Sequence, residues 1–171
     1  MIGSSLLIGR LTNDNNMRCP MANNDHEISV LNGLIETVID SADGYKNAAG
    51  ATETSRFTEI FQRRGSERQR LTTELQTQVR VLGGTPEDDG TLLASAHRMF
   101  TNLRNKIAGG DKAVIDEVEA GEDYVKAKFE DAIEDRQVSP SIAAIIQNAY
   151  ETVKAGHDEI RDLKHAIHAG E

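Results

Sequence analysis

From Glu27 onward, apolar residues recur at steps of three and four along almost the whole chain, a period that helices satisfy and strands do not. Ile28, Leu31, Ile35, Val38, Ala42, Tyr45 and Ala49 make one such stripe, and Phe57, Phe61, Leu71, Leu75, Val79 and Leu82 make a second. Gly83-Gly84 ends the second helix, and Pro86 follows where a helix cannot easily continue. Leu92, Ala96, Phe100, Leu103 and Ile107 predict a shorter helix over about Thr91–Ala108, closed by Gly109-Gly110, with Asp111 placed to N-cap the next. That next helix covers about Lys112–Asp135 with Val114, Val118, Val125, Phe129 and Ala132. Ser139-Pro140, an N-cap followed by proline at the first helical position, opens the last, which carries Ile142, Ile146, Ala149, Val153, Ile160, Leu163 and Ile167.

Three prolines in 171 residues leave room for helices of this length, and that chain length suits one domain with a sizeable core. Aromatics are only 4% of the residues and there is no Trp, so the core is mainly aliphatic. The expected fold is all-α: four long helices plus a short one of about 18 residues, spanning roughly 27 Å. If the short helix carries the chain back along the outside, the second and third long helices run parallel. That is a ferritin-like four-helix bundle with a helical crossover. A simple five-helix up-and-down array fits the same pattern. Residues 1–26, Asn-rich and without periodicity, read as a flexible tail before a bundle over 27–168, and Met21 offers an alternative start.

The formal net charge of −9 argues against a nucleic-acid partner, whose phosphates need Lys and Arg. The short basic runs Arg63-Arg64 and Arg68 to Arg70 alternate with Glu and read as a solvated or salt-bridged face. The lone Cys19 excludes an internal disulfide. No apolar run reaches the roughly 18–20 residues of a membrane span, and the segment Ser5 to Ile8 makes a poor signal peptide. A cytoplasmic location is expected.

Against this regular background, Glu122 stands inside an apolar stripe, with Val118 before it and Val125 and Phe129 after. Arg64 and Glu67 interrupt the stripe from Phe61 to Leu71, and His157 flanks that of Val153 and Ile160. Each interruption has a glycine nearby: Gly65, Gly121 and Gly156. A buried charge is costly unless paired or bound to metal. Two readings follow: an Arg64–Glu67–Glu122–His157 network, which is favoured, or a single iron or manganese ion held by Glu67, Glu122 and His157. A full di-iron centre requires Glu-x-x-His on two helices. Here Arg70 stands three residues after Glu67, and Lys154 three before His157. Glu36 points away from its stripe beside Asp40 and Asp43 and reads as a solvated acidic face unless the short helix covers it. His97 reads as a satisfied interhelical histidine.

The strings "LNGLIETVIDSADGYKNAA", "AHRMFTNLRNKIAGGD", "EVEAGED" and "AGHDEIRDLKHA", in this order, resemble a proteobacterial ferritin-like four-helix-bundle family, domain of unknown function 2383, over about residues 27–165. The resemblance implies that fold, a bacterial cytoplasmic setting, an association with stress and no established reaction. Its pattern adds Glu36, His97, Glu119, Glu122 and His157 as positions of interest. The function expected is a stress-associated protein or an interaction module without catalysis, with a reduced iron or manganese site as the alternative. Self-association or a protein partner fits either.

Overall fold

The computed structural model describes residues 20–90 and 110–169. Among them are four helices and no strand: α1 Pro20–Ala51, α2 Ser55–Val81, α3 Gly110–Glu134 and α4 Pro140–Ala169. The expected short helix over 91–108, with His97, lies outside the described residues, as do residues 1–19.

Helix α1 begins at Pro20, earlier than the periodicity indicates, so residues 20–26 are helical. Proline suits a first helical turn, where its missing N–H would have no partner. The Asn-rich stretch gains partners from other helix ends. Asn24 donates to the Leu82 carbonyl at 3.5 Å, and a His26 ring nitrogen lies 2.7 Å from Asp135 Oδ2. Local sequence could not reveal these contacts, because both partners are distant in the chain.

Helix α2 stops as its glycines require. Gly83 adopts φ +83° and donates to the Arg80 carbonyl, while Gly84 N–H donates to the Val79 carbonyl at 2.9 Å. Together these bonds make a Schellman closure, and the positive φ is one that glycine adopts at little cost. Asp111 behaves differently from expectation. It lies inside the first turn of α3, and its carboxylate reaches back to the α1–α2 connection, accepting from Glu53 N–H at 2.8 Å, Thr54 N–H at 3.2 Å and the Thr52 and Thr54 hydroxyls. It thus caps α2 from another helix instead of its own. Burial pushes the Asp111 pKa up, but the hydrogen bonds from Thr52, Thr54 and Glu53 outweigh this and hold it below the usual carboxylate range. Its stabilisation is therefore complete above an unfolded pKa of about 3.9 and is lost as pH falls through the lower folded value. Asp111→Ala is expected to cost about 1 kcal/mol near neutral pH, and in thermal melts its deficit against the native chain should shrink as pH falls below about 4.

The same contacts set the helix directions. His26 near the start of α1 meets Asp135 just past the end of α3, and Thr52 beyond the end of α1 meets Asp111 at the start of α3. α1 and α3 are therefore antiparallel, α2 and α3 run parallel, and α2 ends at the opposite end of the bundle from the start of α3. Residues 84–90 begin the return along α1. A Cβ on Gly84 would strike Ile28, Glu87 N–H donates to Asn32 Oδ1 at 3.0 Å, and a Cβ on Gly90 would strike Asp40.

Helices α1 and α2 pack closely as one hairpin and α3 and α4 as another. The hairpins meet through α1 and α3, whereas α2 and α4 stay further apart. The apolar core is in two parts. The larger contains Leu31, Ile35, Leu75, Val79, Phe129 and Ile146. The smaller contains Tyr45, Phe61, Val114, Ile115 and Ile160.

Candidate functional site

Between the two apolar clusters lies a polar layer centred on Glu122 and Arg68, which are 2% and 0% exposed. The Arg68 guanidinium reaches all three other helices. Nη2 donates to Glu122 Oε2 at 2.6 Å and to the Val153 carbonyl at 3.4 Å, Nη1 to the Thr152 carbonyl at 3.3 Å, and Nε to Ser41 Oγ at 3.2 Å. Ser41 in turn donates to Glu122 Oε1 at 3.2 Å. A buried pair this well supplied with hydrogen bonds can offset much of its desolvation cost. Tyr45 lies beside it, its ring centroid 5.9 Å from Arg68 Cζ. Its hydroxyl is buried and has no hydrogen-bond partner among the described residues. Burial first, then the nearby Glu122 carboxylate, hold that phenol pKa well above its ordinary range against the opposing effect of Arg68.

Two of the mid-helix glycines find their reason here. A Cβ on Gly65 would stand 3.3 Å from Tyr45 Cβ, so glycine lets α1 and α2 approach closely. A Cβ on Gly156 would stand 2.6 Å from Arg68 Nη2 and 3.1 Å from Glu122 Oε2, so glycine leaves room for the ion pair against α4.

The sequence-derived candidates do not converge. Glu67 turns to the seam between α2 and α4, where Arg64 Nη1 donates to it at 2.6 Å. Arg64 Nε and Arg63 Nη2 both bind Glu159 at 2.6 Å, and Arg64 Nη2 donates to the Ala155 carbonyl at 3.1 Å. Although burial opposes it, hydrogen bonding to Glu159 and Glu67 raises the Arg64 pKa further. His157, 8% exposed, directs Nε2 to Asp123 at 2.9 Å and Nδ1 to Asp158 at 3.2 Å. Asp158 is held down to about 2, first by Lys154 and then by His157. Glu119 takes the Lys164 ammonium at 2.9 Å. Glu36 is half-buried beneath the returning segment, and its pKa is raised by burial, then by Glu87 and Asp40.

The expected four-residue network is therefore three separate ones: Arg64–Glu67–Glu159 at the seam, Arg68–Glu122–Ser41 at the centre, and His157 with Asp123 and Asp158 at the edge. Among the described residues, no three His, Cys, Asp or Glu side chains are arranged to hold a metal ion. The donors at the centre do not suit one either: a single carboxylate is already matched by a fixed guanidinium.

Arg68, Ser41 and Tyr45 complete the centre without having been singled out from sequence. A signal for Arg68 was present, since it stands one heptad after Phe61 and one before Leu75, squarely in the core register of α2. Its long side chain and its place in a basic run disguised it as a surface residue. At the same level, α2 and α4 flank an open cleft of about 480 Å³ edged by Arg64, Glu67, Arg70 and Glu74 on one side and Glu151 and Thr152 on the other.

The family described as Domain of unknown function (DUF2383) matches residues 26–135. The chain belongs to that family. The matched stretch carries Ser41, Tyr45, Arg68 and Glu122, while the α4 residues that complete the polar layer lie beyond it. No curated protein matches the chain. No helix among the described residues is long and apolar enough to cross a membrane.

Proposed function

We propose that this protein is a small ferritin-like bundle of the proteobacterial cytoplasm, acting as a stress-associated structural or interaction module without catalysis of its own. The observation that carries the reading is Arg68, a guanidinium with 0% exposure at the bundle centre, bound to the one carboxylate buried there with it. In metal-dependent bundles of this kind, inward-facing carboxylates and histidines surround the ions. Here the corresponding charge is supplied by a side chain, and it ties α2 to the other three helices. The parallel course of α2 and α3 supports the ferritin-like topology, which needs one connection running the length of the bundle.

Metal analysis of protein purified without a His-tag tests the proposal. The expected result is iron and manganese well below one ion per chain, with no change in Glu122→Ala. Stoichiometric iron or manganese that disappears in Glu122→Ala would overturn it in favour of a metal-binding protein or oxidase. Light scattering reads self-association, and a pull-down reads a protein partner.

A further inference from the structure

We propose that the bundle centre is a site for a planar, singly charged cation of the guanidinium class. The native chain fills it with Arg68, and a free guanidinium ion fills it when that side chain is cut back. This stands on the geometry of the centre and not on the role proposed for the protein.

The acceptors around the guanidinium come from every helix except the one that carries it: Ser41 from α1, Glu122 from α3, and the Thr152 and Val153 carbonyls from α4. Shortening Arg68 removes none of these acceptors from the chain. They engage Nε, Nη1 and Nη2 separately, a spread that matches a planar fork and not a point charge such as ammonium. Of the four acceptors only Glu122 is a carboxylate, so the site matches one positive charge and would leave a divalent ion half compensated. Ser41 fixes the carboxylate by donating to Oε1, leaving Oε2 for the cation. The Tyr45 ring, 5.9 Å from Arg68 Cζ, adds an aromatic face. Gly156 keeps the space open, because a Cβ there would come within 2.6 Å of Nη2. The nearby ionisable groups Glu67 and His157 are engaged with Arg64, Asp123 and Asp158, outside the cage.

The test uses the full chain. Thermal unfolding is followed by circular dichroism for the native protein, Arg68→Ala and Arg68→Ala/Gly156→Ala. The additives are guanidinium chloride at millimolar concentrations, far below the denaturing range, and sodium chloride or manganese chloride at equal ionic strength. Guanidinium is expected to raise the Arg68→Ala midpoint saturably, by roughly 3–6 °C over sodium, to leave the native midpoint unchanged, and to lose its effect in the double variant. If Arg68→Ala is unfolded in buffer, the same titration is read as helix regained. No gain over sodium, an equal gain with manganese, or an undiminished gain in the double variant would each overturn the proposal. The native chain supplies a second reading by NMR. A guanidinium held at all three nitrogens is expected to give separate, slowly exchanging Nη proton signals for Arg68, and one averaged signal would count against the site.

Discussion

Glu122→Ala is expected to destabilise the protein by about 3–5 kcal/mol, a fall in the unfolding midpoint of roughly 10 °C. The cause is what the substitution leaves behind. Arg68 has 0% exposure, and once Glu122 is gone its remaining acceptors, Ser41 Oγ and two main-chain carbonyls, are all neutral. Arginine stays protonated in proteins and cannot shed its charge to escape. A charge would then be buried without a counter-ion, which costs far more than the pair contributes when intact. The complementary variant Arg68→Met/Glu122→Leu removes both charges and fills similar volume. It is expected to be neutral or to stabilise by about 1–4 kcal/mol. Denaturant titration of both variants reads the contrast, and a single-variant loss below about 1 kcal/mol would mean that the pair is solvated in solution.

Phe129→Ala is expected to cost a similar amount, about 3–5 kcal/mol, for a different reason. Phe129 has 0% exposure and lies in the larger apolar cluster with Leu31, Leu75 and Ile146. Its removal forfeits transfer energy and leaves a cavity that four packed helices can only partly close. No charge changes, so the loss should not vary with salt, and the denaturation midpoint should shift with little change in slope. A loss under about 1 kcal/mol would mean that the cluster repacks around the gap.

The site was half legible. Glu122 announced itself because a carboxylate inside a run of Val and Phe contradicts the helical pattern around it, and the structure does bury it at 2% exposure. Its partner did not. Arg64 and Arg68 lie one turn apart, and a periodic stripe assigns directions only to within tens of degrees. Long side chains can then swing to either side of that direction. The seam between α2 and α4 takes Arg64 and Glu67, while the wider centre takes Arg68. Neither the width of that seam nor the place of Gly156 opposite Arg68 is written in the period of a single helix. Asp111 shows the same limit. Its residue type marks it as a helix cap, but only the meeting of α3 with the α1–α2 connection decides which helix it caps.

Taken alone, the sequence determined the all-helical class, the stripes that face inward, the glycine stop after Val81 and the start at Pro140, because propensity, period and capping act over a few residues along one chain. Tertiary structure decided which ionisable groups meet, the early start of α1 at Pro20, and the parallel run of α2 and α3. Those depend on groups far apart in sequence, Ser41, Arg68, Glu122 and the α4 carbonyls among them, that become neighbours only when four helices close around a shared interior and each buried charge must find the partner nearest to it.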